Sequence, residues 1–135
     1  MPIIEWNEKY STGLPEIDHQ HQILISLINT LDTFRGSDDK PALEQILDTL
    51  VEYTKSHFSN EEIMLKNIKY PGFSEHQKQH LKFISQIEQF KDKFRKNADN
   101  LGDDLLDFLS DWLQAHILHD DFAYVDFRKK NSIKS

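Results

Sequence analysis

His57-Phe58-Ser59-Asn60-Glu61-Glu62-Ile63-Met64-Leu65-Lys66-Asn67-Ile68-Lys69-Tyr70-Pro71-Gly72-Phe73-Ser74-Glu75-His76-Gln77-Lys78-Gln79-His80 reads as the end of one helix, a break and the start of the next. The break falls at Tyr70-Pro71-Gly72, where proline lacks a backbone donor and glycine permits positive φ. His57 and Glu61 stand four residues apart before it, and His76 and His80 four apart after it. An i, i+4 pair lies on one helix face a turn apart, so each helix presents two ligand atoms to a common point. A short connection makes the helices antiparallel neighbours, and the two pairs then meet at one end of the hairpin.

The rest of the chain extends this pattern. Asp18 is a candidate N-cap for a first helix that reaches about Arg35, where Gly36-Ser37-Asp38-Asp39 ends it. Pro41 suits an early position of the second helix, which runs to about Asn67. Ser74 is positioned to cap the third, which continues to about Asn97. Asn97-Ala98-Asp99-Asn100 with Gly102 separates it from a fourth reaching about Asp121, and a short helix over Phe122 to Lys130 follows.

Helical spacing defines one buried stripe per helix. The first carries Ile17, His21, Leu24, Ile28 and Leu31. The second carries Leu43, Leu47, Leu50, Thr54, His57, Glu61 and Met64. The third carries Phe73, His76, His80, Phe83, Ile87, Phe90 and Phe94, and the fourth Leu105, Leu109, Trp112 and His116. The expected architecture is an all-α, up-down-up-down antiparallel four-helix bundle, with an N-terminal arm over 1–17, the bundle over 18–121 and a C-terminal segment over 122–135. That topology brings His21, His57, Glu61, His76, His80 and His116 into one layer.

Composition narrows the chemistry. With 135 residues the chain suits one domain with one core. It contains no cysteine, so a bound metal must use nitrogen and oxygen ligands. The formal net charge of −7 argues against nucleic-acid and anionic-membrane partners. The basic run Arg128-Lys129-Lys130 reads as a solvated helix end. No stretch approaches the ~20 apolar residues of a membrane span, and the start of the chain has no signal-peptide pattern, so a cytoplasmic location is expected.

A single buried histidine is ordinarily a core residue satisfied by one hydrogen bond. Several imidazoles and a carboxylate buried together would cost several kcal/mol without a partner, and a cation removes that penalty. His19 lies about 200° around the helix from His21 and is expected to be exposed. Glu62 is turned about 100° away from Glu61 and is read as outside the site. Glu16-x-x-His19 imitates a di-iron carboxylate motif, but no second copy occurs. Periodicity would pair His116 with His119 or Asp120 rather than Asp121.

Asp18-x-x-His21, His57-x-x-x-Glu61, His76-x-x-x-His80 and Trp112-Leu113-x-x-His116-x-x-x-x-Asp121, with Trp6 in the N-terminal arm, together resemble the hemerythrins, in particular the single-domain bacteriohemerythrins. The resemblance covers nearly the whole chain. It implies two non-haem irons, with His76, His80 and His116 on one and His21 and His57 on the other. Glu61 and Asp121 would bridge them beside an oxo or hydroxo group. Choosing Asp121 over Asp120 requires the end of the fourth helix to loosen into a π-type turn. Two six-coordinate irons offer twelve positions; five imidazoles, two bridging carboxylates and the shared oxygen take eleven, leaving one open, where the family binds dioxygen. Leu24, Phe58, Trp112, Leu113 and Ile117 are the candidate oxygen pocket, a role compatible with ordinary core packing.

The resemblance thus implies reversible dioxygen binding for storage, delivery or scavenging by a protein that is not an enzyme; a monomer, with an unidentified client enzyme, is the separate expectation for partners. The competing functions are a peroxide or nitric-oxide redox enzyme, or an oxygen or redox sensor, using the same site. Nitrogen and oxygen ligands also accept zinc or manganese.

Overall fold

The computed structural model describes residues 4–34, 40–96 and 102–131. The predicted connections Gly36-Ser37-Asp38-Asp39 and Asn97-Ala98-Asp99-Asn100, the helix end at Arg35 and the side chain of Phe94 lie outside the described residues. A single 3-10 turn, Glu8–Tyr10, precedes α1 (Pro15–Thr33), α2 (Lys40–Asn67), α3 (Phe73–Lys96) and α4 (Gly102–Ala115). A π-helical segment, His116–Asp121, then joins α4 to α5 (Phe122–Lys130). The described residues form helices in the expected up-down-up-down bundle. Among them no helix is long and apolar enough to cross a membrane.

Two helix starts differ from the expectation. α1 begins at Pro15, with Leu14 at the N-cap and no side-chain cap, because proline is already fixed near helical φ and needs no donor at this position. Asp18 ties down the preceding turn instead: its carboxylate accepts from the Thr12 backbone N–H at 2.8 Å, the Thr12 hydroxyl at 2.8 Å and the Ser11 hydroxyl at 2.6 Å. α3 begins at Phe73, so Ser74 lies inside its first turn rather than capping it. Backbone bonds occupy that turn, from Phe73 N–H to the Tyr70 carbonyl and from His76 N–H to the Gly72 carbonyl.

The α2–α3 connection is built tightly. Tyr70 N–H bonds back to the Leu65 carbonyl and Lys69 N–H to the Lys66 carbonyl, while Lys69 takes φ 57°, the left-handed position of a Schellman ending. Gly72 lets the Tyr70 ring lie close over the backbone, since a Cβ there would stand 2.8 Å from the ring and push it aside. This hinge sets the register in which α2 and α3 face each other.

α1 packs against α2 and α4, and α2 also packs against α3. α3 and α4 meet through aromatic rings: Phe83 stacks on Trp112 at 3.9 Å and on Phe108 at 5.6 Å, and Phe90 lies 5.5 Å from Phe108. The aliphatic part of the core holds Ile28, Leu31, Leu47, Leu50, Ile87, Leu105 and Leu109, all essentially buried. Truncating any of these to alanine costs about 2–5 kcal/mol in a close-packed interior. The N-terminal arm is pinned on the bundle by paired bonds between Ile4 and the Asn29 amide and by Tyr10 donating to Gln114. Of the predicted stripes, Met64, Phe73, Phe90 and Trp112 are only partly buried, because they sit at the margins of the bundle. Arg128 departs from the solvated-end expectation: it is buried, while Lys129 and Lys130 are exposed.

Candidate metal centre

Helix direction assembles the polar layer. His21 lies in the second turn of α1, His57 and Glu61 near the end of α2, His76 and His80 near the start of α3, and His116 opens the π segment after α4. Asp121 closes that segment. All seven of these side chains are buried, and both carboxylates are fully so.

The histidines form two groups. Nε2 of His76, His80 and His116 lie 2.5, 3.1 and 3.8 Å from Glu61 Oε1. His76 and His116 also approach Asp121 Oδ1, at 3.3 and 3.1 Å. On the other side, His21 Nε2 is 3.1 Å from Asp121 Oδ2 and His57 Nε2 is 3.9 Å from Glu61 Oε2. Each carboxylate therefore turns one oxygen toward the three-histidine group and the other toward the two-histidine group. Ligand atoms of Glu61, His76, His80 and His116 lie within 4.8 Å of one another, as do those of His21, His57 and Glu61.

The π segment resolves the spacing conflict at His116. One extra residue per turn carries Asp121 inward, while Asp120, at the α-helical i+4 distance, accepts from His116 Nδ1 at 3.0 Å. Both aspartates thus engage the same imidazole through different nitrogens. The Gln79 amide, assigned with its nitrogen facing Asp120, is 2.5 Å from Oδ2 and holds that carboxylate in turn.

Three further polar partners escaped sequence reasoning. Gln20 Oε1 lies 2.6 Å from His57 Nδ1. Glu62, read as outside the site, reaches His80 Nδ1 at 2.9 Å and accepts from Gln77 at 2.9 Å. Helical angle alone misplaced it, because a side chain 100° off the core face still reaches a neighbouring helix. Tyr124, fully buried, donates to Glu61 Oε2 at 3.0 Å. Gln20 follows Ile17 by three and Tyr124 follows Asp121 by three, a spacing that was available as a signal for both. His19 is exposed, as expected.

The electrostatics reflect the two carboxylates. Burial drives the His76 imidazole down, but the Asp121 and Glu61 carboxylates beside it outweigh that and push it up to about 9. Burial likewise opposes the charge on His116, and Asp121 and Asp120 overcome it and hold it well above the ordinary range. His57 goes the other way: burial lowers it to about 4, against the pull of Glu61. Burial would raise Glu61 and Asp121, yet the surrounding imidazoles hold both well below the usual carboxylate range. Burial and the two carboxylates together raise the Tyr124 phenol, which stays a donor.

The chemistry of the donor set fits a bound cation. Both ring nitrogens of His21 and both oxygens of Asp121 are buried without a hydrogen-bond partner, the 3.1 Å approach between them lacking hydrogen-bond alignment. Such orphaned groups cost several kcal/mol unless something coordinates them. Five imidazoles and two carboxylates suit borderline first-row metals.

Aromatic and aliphatic side chains seal the layer toward the core. Phe58 stacks on His80 at 3.7 Å and Trp112 on His116 at 4.4 Å. Leu24, Phe58, Trp112 and Leu113, with Thr54 and Phe83, line a cavity of about 10 Å³, room for about one water-sized molecule. Ile117 is fully buried in the same core but stands outside that lining.

The chain matches the family described as the hemerythrin HHE cation binding domain over residues 12–127. It is 34% identical to a bacteriohemerythrin of Pseudomonas paraeruginosa, over 93% of this chain and 82% of that protein. With a bacteriohemerythrin of Clostridium acetobutylicum it shares 30% identity over 90% of this chain and 98% of the relative. The crystal structure of wild-type hemerythrin superposes with a TM-score of 0.86 at 25% identity, covering 92% of this chain and 96% of that one. The layer of buried histidines and carboxylates thus sits in a bundle shared with cation-binding relatives, and the chain belongs to the hemerythrin family.

Proposed function

We propose that the protein binds dioxygen reversibly at a non-haem di-iron centre with one open coordination position, for storage, delivery or scavenging, and that it is a binding protein rather than an enzyme. The observation that carries this reading is the division of Glu61 and Asp121 between the two histidine groups. His76, His80 and His116 would hold one iron and His21 and His57 the other, with the two carboxylates and an oxo or hydroxo group between them. The open position would then fall on the two-histidine side, which has one imidazole fewer. When bound, the two irons would supply the electrons that dioxygen takes up.

The chain's own residues orient and protect the site. Asp120, Glu62 and Gln20 fix the rings of His116, His80 and His57 through their Nδ1 atoms, so that each Nε2 points inward. Leu24, Phe58, Trp112 and Leu113 line a small apolar cavity and would keep water and protons scarce beside the histidines. Ile117 contributes to the same dry wall from the adjoining core. On this reading the protein works as a monomer in the cytoplasm.

Metal analysis combined with an optical spectrum of the reduced protein, taken before and after air and again under vacuum, tests the reading. Two irons per chain and a visible band that bleaches reversibly are expected. Fewer than two irons, or no oxygen-dependent band, overturns it.

A further inference from the structure

We propose that the groove between the start of α1, the end of α2 and α5 binds a small amphipathic carboxylate, with Arg128 as its anchor. The groove encloses about 530 Å³, within the range of small-molecule sites. Leu14, Ile17, Met64 and Ile68 give it apolar walls, and the amides of Asn60 and Asn67 add hydrogen-bonding capacity.

Arg128 lines this groove and is only 8% exposed. Its one polar contact is a weak approach of Nη1 to Met64 Sδ at 4.0 Å, and among the described residues no carboxylate pairs with it. The arginine side chain is thus largely buried, and among the described residues no counter-ion offsets the cost of desolvating its charge. Its planar fork of donors matches a carboxylate in two parallel bonds. A ligand with one carboxylate and an apolar body would satisfy both the cation and the walls. Polyanions fit poorly, because Glu16 stands on the rim and the chain carries a net charge of −7. The proposal does not depend on the di-iron reading, since none of the groove residues is among the seven side chains of the metal layer.

Calorimetric titration of the full chain with decanoate, below its micelle concentration, tests this against decanamide as a neutral isostere. Saturable one-to-one binding of decanoate is expected, at least tenfold weaker for decanamide and for Arg128→Gln. Met64→Trp, which fills the groove and keeps the arginine, should abolish it while helix content by circular dichroism is retained. If Arg128→Gln does not fold, the decanamide and Met64→Trp arms decide. The proposal is overturned by absent or unsaturable decanoate binding, or by equal affinity for decanamide. Unchanged affinity in a folded Arg128→Gln also overturns it. Concentration-dependent self-association that Arg128→Gln removes, without decanoate binding, would assign the groove to a second copy of the chain and likewise overturn it.

Discussion

The two halves of the metal layer share both carboxylates and differ in what stands behind their histidines. In the three-histidine half, His80 and His116 each direct Nδ1 to an anion, Glu62 and Asp120. In the two-histidine half, His57 leans on the neutral amide of Gln20, and His21 Nδ1 is buried without a partner. Carboxylate backing makes an imidazole a stronger donor, and amide backing leaves it weaker. The pKa directions have other causes: burial is outweighed at His76 by the shared Asp121 and Glu61 and at His116 by Asp121 and Asp120, while burial prevails at His57. If both halves hold a metal as proposed, the three-histidine half would hold it more firmly and the two-histidine half would be the more exchangeable side. The difference would come from these outer partners, since the imidazoles themselves are the same group.

The largest effect is expected from removing a carboxylate that the two halves share. Asp121→Ala should lose the paired centre, with metal content falling from two ions per chain to one or none. Asp120→Ala should retain two ions, because within the metal layer Asp120 meets the outer nitrogen of His116 and no inward-facing atom. Metal analysis of the two variants separates them, and the reverse outcome would place the bridging role on Asp120.

Removing the anions behind one half is the next test. Glu62→Gln with Asp120→Asn should weaken retention of the first metal by about 10- to 100-fold, as loss of such partners typically does. Competition with a chelator reads this directly. The mirror change, Gln20→Glu, should strengthen binding in the two-histidine half by up to about tenfold and make the two metals leave together. Unequal release persisting in Gln20→Glu would show that the asymmetry has another source.

Proton linkage gives the mildest test. In the metal-free protein the folded pKa of His76 is raised to about 9, so its contribution to stability is complete below its ordinary value near 6.5 and is lost as pH rises through 9. His57 is lowered to about 4, so its contribution is complete above 6.5 and is lost as pH falls through 4. The lowered Glu61 also loses its contribution on the acid side, as pH falls below its ordinary value near 4.5. Melting temperature of the apo protein should therefore peak near neutrality and decline toward both limits. Metal binding requires deprotonated imidazoles, so the loaded protein should lack the alkaline decline and should release protons on loading. A flat apo profile between pH 6.5 and 9 would mean that His76 does not carry a proton in the fold.

Much of this molecule was legible in periodicity. His57 with Glu61 and His76 with His80 announced themselves because an α-helix repeats every 3.6 residues, and a short Pro-Gly break allows the two helices only one relative direction. The bundle and the convergence of six side chains follow from those local facts, as does the buried position of nearly every aliphatic stripe residue. Local rules were less reliable at helix ends, where Pro15 started α1 ahead of Asp18 and backbone bonds displaced Ser74 from the cap. Those outcomes depend on competition between neighbouring partners within a few residues.

Contacts across helices were set only when the bundle assembled. Glu62 meets His80, Gln20 meets His57 and Tyr124 meets Glu61 over separations that no single-helix angle describes. Arg128 reads as a solvated charge and is buried because α5 folds back on α2. The π segment is the clearest division. The residues His116 to Asp121 were in the sequence from the start, and a regular helix would have turned Asp120 inward. Packing selected Asp121, because burying its carboxylate among the imidazoles of His21, His76 and His116 compensates for a locally unfavourable backbone, and that balance exists only once all four helices are in place.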